Sequence, residues 1–175
     1  MPYLTAIHNT TNFNGILDKE KVMSKSEIQA KEILFYEPQD PNGYLSNFSI
    51  CPIKVNGQMW ATSEHYYQAM KFVPEYLRNT IFRASTPAEA FALSRQHEKH
   101  VRDDWYDIRI DVMKFIVTEK FKQNPHLAQS LANTGDSVIK EHSPKDNFWG
   151  DGGNGTGKNH LGKILMAVRQ QLRSA

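Results

Sequence analysis

The stretch from Trp149 to Asn159 contains residues whose types and spacing suggest chemistry. It reads WGDGGNGTGKN and places five glycines within eight positions, with Lys158 directly after them. Because glycines have no side chains, backbone N–H groups can approach an anion closely, and an amphipathic helix begins a few residues later. We therefore expect Gly152, Gly153, Gly155 and Lys158 to bind a phosphate or pyrophosphate, with a flexible surface turn as the simpler alternative.

The same stretch resembles the P-loop of nucleotide hydrolases, but three features oppose that interpretation. Asn159 stands where a P-loop has the serine or threonine hydroxyl that binds magnesium. The preceding residues, KDNFWGD, are polar and turn-like, whereas a P-loop follows a buried apolar strand. Sixteen residues follow Asn159, too few for a later strand with a magnesium-binding acid. Trp149 and Asp151, which flank the glycines, favour a nucleotide-shaped ligand over a bare surface turn.

A second group of polar residues lies in the segment TSEHYYQAMKF, residues 62–72. On a helix, Glu64, Gln68 and Lys71 follow i, i+4, i+7 spacing and share one face. Glu64 is equally explained as a first-turn acid, an effect worth less than ~1 kcal/mol. The adjacent face is expected to belong to the core and carries Tyr66, Met70 and Val73. No arrangement of histidines typical of a metal site occurs, so we expect no metal.

The composition predicts an ordinary globular domain. The 175 residues are 39% hydrophobic and 23% charged, with a net charge of +2, which excludes a strongly basic nucleic-acid module but not a local basic site. Cys51 is the only cysteine, which excludes a disulfide framework and is typical of a reducing environment. Neither a membrane-spanning run nor a secretory leader is evident. We therefore expect a cytoplasmic protein that does not bind membranes.

The strands and helices predicted around these motifs indicate an α+β fold. Asn56-Gly57 separates two strand-like runs and predicts a hairpin. Further strands are predicted at 32–37 and 136–143, and helices at 64–72, 75–84, 87–95, 103–123, 126–133 and 161–172. The long helix has an apolar stripe of Trp105, Ile108, Val112, Phe115 and Ile116. We expect a single domain over 31–175, a small β-sheet surrounded by about six helices, after a partly helical or disordered N-terminal extension at 1–30.

Four segments together resemble the NADAR family, also called YbiA-like. The first is FY at 35–36 with GYLSNF at 43–48. The second is PIKVNG at 52–57, followed by Trp60 and by TSEHYYQAMKF at 62–72. The third is Trp105, and the fourth is FWGDGG-x-G-x-GKN-x-LG at 148–162. The resemblance covers about residues 34–172. The ordered combination of these motifs is much more specific than any one of them.

This resemblance implies that 31–175 is the catalytic domain of an N-glycosidase that needs no metal or redox cofactor. Two substrate classes are implied: phosphorylated ribosylaminopyrimidine intermediates of riboflavin biosynthesis, and ADP-ribose attached to guanine, including ADP-ribosylated guanine in DNA. Both join ribose C1′ to an exocyclic amine. A non-catalytic ADP-ribose-binding module is the alternative. The two carboxylates Glu64 and Asp151 favour an enzyme, because binding a phosphorylated ligand does not require two further negative groups.

By similarity, Glu64 and Asp151 are assigned as the catalytic carboxylates. A carboxylate stabilises the positive charge that develops on the sugar and can orient or deprotonate water. Trp105 and Trp149 are expected to pack against the base. The apolar stripe of the helix at 103–123 would by itself place Trp105 in the core. The other expected substrate-binding residues are Ser46, Asn47, Phe48, Gln68, Lys71, Gly152, Gly153, Gly155, Lys158 and Asn159.

Overall fold

The computed structural model describes residues 31–174, and the extension predicted at 1–30 lies outside them. Within that range, six α-helices and four short strands confirm the α+β prediction. In chain order they are β1 (Glu32–Phe35), β2 (Ile53–Val55), β3 (Gln58–Trp60), α1 (Ser63–Ala69), α2 (Glu75–Phe82), α3 (Pro87–Gln96), α4 (Trp105–Gln123), α5 (Pro125–Ala132), β4 (Val138–Glu141) and α6 (His160–Ser174).

The four strands form two separate two-stranded sheets. Strands β2 and β3 form the predicted antiparallel hairpin, in which Asn56 and Gly57 have φ values of 49° and 82°. Both residues thus adopt the left-handed conformation that a tight hairpin turn requires. Strand β1 pairs with β4 in parallel, so that Phe35 lies opposite Glu141. This second pairing joins the start of the described chain to a strand more than 100 residues later and places Glu141 at the end of β4.

Helix α1 begins where the sequence predicts and ends earlier. Thr62 caps it by accepting a hydrogen bond from the His65 N–H. The helix stops at Ala69 instead of Phe72, and Pro74 disfavours helical conformation at Val73. At its start, the Glu64 N–H donates to the Asn47 carbonyl over 3.2 Å. This bond ties the turn that contains Asn47 to the first turn of α1.

The core lies between α4, α6, α1 and the two sheets, and it corrects two sequence predictions. Phe115 is 43% exposed and Val73 is 63% exposed, although both were expected in apolar stripes. The buried face of α4 instead runs through Trp105, Met113, Ile116 and Lys120, because contacts with α1 and α6 determine which side of the helix turns inward. Between residues 31 and 174, no helix has the length and apolar character needed to cross a membrane.

Candidate active site

A cavity of about 760 Å³ lies between α1, α3, α4 and the segment that follows β4. Helix α1 contributes Glu64, Tyr67 and Gln68 to its wall, and Lys71 follows in the turn after the helix. Asn47 and Phe48 enter from the turn bound to the start of α1. Its size lies within the range of ~300–1,000 Å³ that is usual for small-molecule sites. The cavity therefore brings the TSEHYYQAMKF motif together with residues that are distant in the sequence.

Glu64 is a buried acid that can change protonation near neutral pH. Its side chain is 6% exposed, and Oε1 accepts a hydrogen bond of 2.6 Å from Gln68 Nε2. Burial raises the pKa of Glu64 to about 7, while the Gln68 hydrogen bond and the positive charge of Lys71 oppose this rise. Such a group can accept or donate a proton at physiological pH.

A chain of side-chain hydrogen bonds orients the amide of Gln68 toward Glu64. Ser94 Oγ donates to Gln68 Oε1, so the amide nitrogen of Gln68 faces the carboxyl group. Lys71 Nζ donates to Ser94 Oγ over 3.4 Å. Burial lowers the pKa of Lys71, and the negative charge of Glu64 partly offsets this effect. Gln68 on α1, Ser94 on α3 and Lys71 in the turn after α1 are thus held in fixed relation to Glu64.

Glu141 is a second acid in the cavity, at the last residue of β4. Its Oε2 atom is buried and has no hydrogen-bond partner among residues 31–174. Burial raises the pKa of Glu141 to about 8, and the nearby negative charges of Asp146, Glu64 and Asp151 add to the rise. Two acids with strongly raised pKa values therefore line the same cavity, which is typical of sites that perform acid–base chemistry.

Three aromatic rings form one wall of the cavity. The ring centroid of Tyr67 lies 5.0 Å from that of Trp105 and 5.5 Å from that of Trp149. Lys71 Nζ lies 5.8 Å from the centroid of the Tyr67 ring. Trp105 is buried in the core, as its helix stripe predicts, and it also lines the cavity, while its contact with a base stays a prediction. A wall of this kind offers stacking surface to a heterocyclic base.

Asp151 is buried beside the cavity and is not part of its lining. Its Oδ2 atom contacts His142 Nδ1 at 3.0 Å, and Oδ1 accepts a hydrogen bond of 2.9 Å from the Gly153 N–H. Burial tends to raise the pKa of Asp151, but the contacts with His142 and Gly153 outweigh it and lower the pKa. Asp151 therefore has both carboxylate oxygens engaged within its own loop.

The glycine loop, residues 150–159, also lies outside the cavity lining, and most of its N–H groups are engaged within the chain. The N–H groups of Gly152, Gly157, Lys158 and Asn159 donate to backbone carbonyls of residues 146–151, over 2.7–3.1 Å. The side chain of Asn159 bridges two residues of β4: Nδ2 donates to the Ile139 carbonyl, and Oδ1 accepts from the Glu141 N–H. The loop is thus bound to the end of β4.

The predicted site residues fall into two groups in the structure. Those that line the cavity are Asn47, Phe48, Glu64, Gln68, Lys71, Trp105 and Trp149. Those that lie outside its lining are Ser46, Asp151, Gly152, Gly153, Gly155, Lys158 and Asn159. Ser46 supports the turn, because its carbonyl accepts a hydrogen bond of 2.9 Å from the buried Lys120 Nζ. The functional roles of both groups stay predictions.

Several residues of the lining were not predicted from the sequence, including Tyr67, Arg109 and Glu141. Helical spacing could have found the first two, because Tyr67 lies three residues after Glu64 and Arg109 lies four after Trp105. No local signal identifies Glu141, because its position depends on the long-range pairing of β4 with β1.

Comparison with known proteins identifies a NADAR domain over residues 34–173. The chain is 54% identical over 149 residues to a riboflavin biosynthesis protein of Vibrio vulnificus, which covers 85% of this chain but only 41% of that protein. It is 44% identical over 145 residues to N-glycosidase YbiA of Escherichia coli, which covers 83% of this chain and 91% of that protein.

The fold also matches a solved structure. The NMR structure of Escherichia coli YbiA has a TM-score of 0.77 and 42% sequence identity with this chain, covering 83% of this chain and 87% of that one. The family match spans nearly all of the described residues and includes every motif on which the resemblance was based. The chain therefore belongs to the NADAR family.

Proposed function

We propose that the protein is an N-glycosidase that hydrolyses the bond between C1′ of a 5′-phosphorylated ribose and an exocyclic amine of a base. Relatives named N-glycosidase YbiA, matched over 91% of their length, support a hydrolase of N-glycosyl bonds. The observation that carries the proposal is the pair of acids Glu64 and Glu141, with pKa values raised to about 7 and about 8, in one cavity with an aromatic wall.

The two acids divide the reaction between them. Cleavage of the C1′–N bond leaves its electron pair on nitrogen and builds positive charge on the ribose. The ionised carboxylate of Glu64 stabilises this charge and takes a proton from the water whose oxygen bonds to C1′. Glu141 in its acid form donates its proton to the leaving amine. The products are a ribose phosphate and the free base.

For the acid that protonates the leaving amine we favour Glu141 over Asp151, which the family resemblance implied as the second carboxylate, either as this acid or as a partner of a ribose hydroxyl. Glu141 lines the cavity and has a buried oxygen without a partner among the described residues. Asp151 lies outside the lining and accepts a hydrogen bond from Gly153. We therefore propose that Asp151 supports the reaction indirectly, by fixing the loop next to Glu141.

Asn47 and the aromatic wall would hold the substrate in place. Asn47 is buried, its Nδ2 donates to Met113 Sδ, and its Oδ1 has no partner among residues 31–174. A ribose hydroxyl is the donor that would satisfy this oxygen. The base would pack against Trp105 and Trp149, where stacking contributes about 1–3 kcal/mol per base.

Ribosylaminopyrimidine phosphates are the first candidate substrates, supported by the name of the Vibrio vulnificus relative. ADP-ribosylated guanine is the second candidate, because it contains the same type of C1′–N bond. The cavity volume of about 760 Å³ leaves room for the larger ADP-ribosyl group.

The function is tested by incubating the purified protein with both substrate classes and measuring the released base by mass spectrometry. We expect release of the base with formation of a ribose phosphate or ADP-ribose, and strongly slowed but measurable release in Glu64→Gln and Glu141→Gln. Binding of ADP-ribose without release from any substrate would instead identify a non-catalytic ADP-ribose-binding module. The same assay decides between the two substrate classes.

A further inference from the structure

We propose that Arg109 binds the phosphate group of the substrate next to the aromatic wall, in place of the glycine loop. The ligand class rests on the proposed function, whereas the position of the site follows from the surroundings of Arg109. Arg109 lies one helical turn after Trp105 on α4, and both side chains line the cavity. The cation and the stacking surface therefore face the same ligand.

Aromatic contacts hold the guanidinium group of Arg109 in a defined plane. Its Cζ atom lies 3.7 Å from the ring centroid of Phe148 and 5.0 Å from that of Tyr106. A guanidinium stacked on a ring keeps its N–H groups at the edge of the plane, where they can reach two oxygens of one phosphate. Stacking thus orients the donors before the ligand binds.

Within the described part of the chain, no hydrogen-bonded acceptor or ion-pair partner compensates the charge of Arg109. Its Nε atom is buried and has no hydrogen-bond partner, and none of the ion pairs among residues 31–174 includes Arg109. By contrast, Arg102 lines the same cavity but is paired with Asp104 over 2.8 Å. A buried N–H without an acceptor is costly, and a phosphate oxygen would satisfy it.

The glycine loop is a weaker candidate for the same role. The N–H groups of Gly152, Gly153, Gly157 and Lys158 already donate to acceptors in the chain, and the loop does not line the cavity. The Lys158 side chain is exposed, with Nζ 5.4 Å from the centroid of the Phe148 ring. Lys158 can add long-range attraction, but the contact itself is assigned to Arg109.

The test compares phosphorylated and dephosphorylated ligands in matched variants. Binding of ribose 5-phosphate and of ribose is measured by calorimetry, and kcat/KM is measured for a phosphorylated substrate and its dephosphorylated form. The variants are Arg109→Met, Arg109→Lys, Lys158→Ala and, as a charge control on the same helix, Lys114→Met. Lys114 is exposed and does not line the cavity. Thermal melting of each variant monitors folding.

We expect Arg109→Met to reduce the preference for the phosphorylated form by about ten- to a hundredfold and to leave the dephosphorylated form unaffected. Arg109→Lys should restore part of the preference, because lysine keeps the charge without the planar donors. Lys158→Ala and Lys114→Met should keep the preference. Equal weakening of both ligands by Arg109→Met, or loss of the preference in Lys158→Ala alone, would overturn the assignment.

The outcomes separate this inference from the proposed function. If no base is released from any substrate but ribose 5-phosphate binds in an Arg109-dependent manner, the phosphate site at Arg109 is supported and the N-glycosidase activity is refuted. If base is released and the phosphate preference is the same in the Arg109 variants and the wild type, the N-glycosidase activity is supported and the phosphate site at Arg109 is refuted.

Discussion

Replacement of Glu64 by glutamine tests whether burial of this acid serves catalysis at a cost in stability. The pKa of Glu64 is raised by burial from an ordinary 4.5 to about 7 in the folded state. The folded state therefore holds the proton more tightly than the unfolded state does. The stability that this group contributes is fully present below about pH 4.5 and is lost as the pH rises to about 7.

The size of the effect follows from the same pKa change. At about 1.4 kcal/mol per pH unit, ionisation of the buried Glu64 lowers the free energy of unfolding by about 3 kcal/mol at pH 8. Glutamine has nearly the same shape, stays neutral, and can still accept the hydrogen bond that Gln68 Nε2 donates to Oε1. Glu64→Gln should thus be as stable as the wild type at pH 4 and more stable by up to about 3 kcal/mol at pH 8. The melting temperature at pH 8 should rise by roughly 5–10 °C.

The assay is urea unfolding of Glu64→Gln and wild type at pH 4 and pH 8, together with the rate of base release. The control is Glu75→Gln, which removes an exposed acid outside the cavity and should stay within about 0.5 kcal/mol of the wild type at both pH values. Base release by Glu64→Gln should fall by about a hundredfold or more. A variant that is less stable than the wild type at pH 8, or that releases base at the wild-type rate, would refute the reasoning.

Two further predictions concern the second acid and the loop that holds it. The pH profile of kcat/KM should be bell-shaped, with limbs near pH 7 and pH 8 that belong to Glu64 and Glu141 as a pair, because their pKa values are raised to about 7 and about 8. Glu141→Gln should abolish the alkaline limb, and an unchanged profile in this variant would exclude Glu141 as the acid. Asn159→Ala should lower the free energy of unfolding by about 2–4 kcal/mol, because it leaves the Ile139 carbonyl and the Glu141 N–H without their partners. The control Asn154→Ala, in the exposed part of the loop, should cost about 1 kcal/mol or less, and equal losses in urea unfolding would contradict a special role for Asn159.

Local signals in the sequence were sufficient for the elements that depend on neighbouring residues. The Asn56-Gly57 hairpin formed as predicted, because the turn type is determined by the backbone conformations of these two residues. Thr62 and Thr86 begin helices because their side chains accept hydrogen bonds from N–H groups three residues later. The helical spacing of Glu64 and Gln68 also follows from local geometry. Lys71 lies just beyond the end of α1, and all three residues line the cavity.

The rest of the site depends on contacts between distant segments, which local patterns do not report. The inward face of α4 is chosen by its neighbours, so Phe115 is partly exposed although its spacing fits a core stripe. Glu141 reaches the cavity because β4 pairs in parallel with β1. The glycine motif predicted an open set of amides, but in the folded loop the acceptors are carbonyls that the same segment brings into reach.

These long-range contacts suggest a different role for the glycine motif. Residues of the motif hold both peptide groups of Glu141. The Glu141 N–H donates to Asn159 Oδ1 over 3.1 Å, and the Glu141 carbonyl accepts from the Asp151 N–H over 2.8 Å. The close turns between these two residues require glycine, because a Cβ at Gly157 would lie 2.5 Å from the Gly150 carbonyl oxygen. The motif resembles a phosphate-binding loop, but it holds the backbone of the proposed acid Glu141. Substitutions within the motif should therefore shift the pKa of Glu141 more than they weaken binding of phosphate.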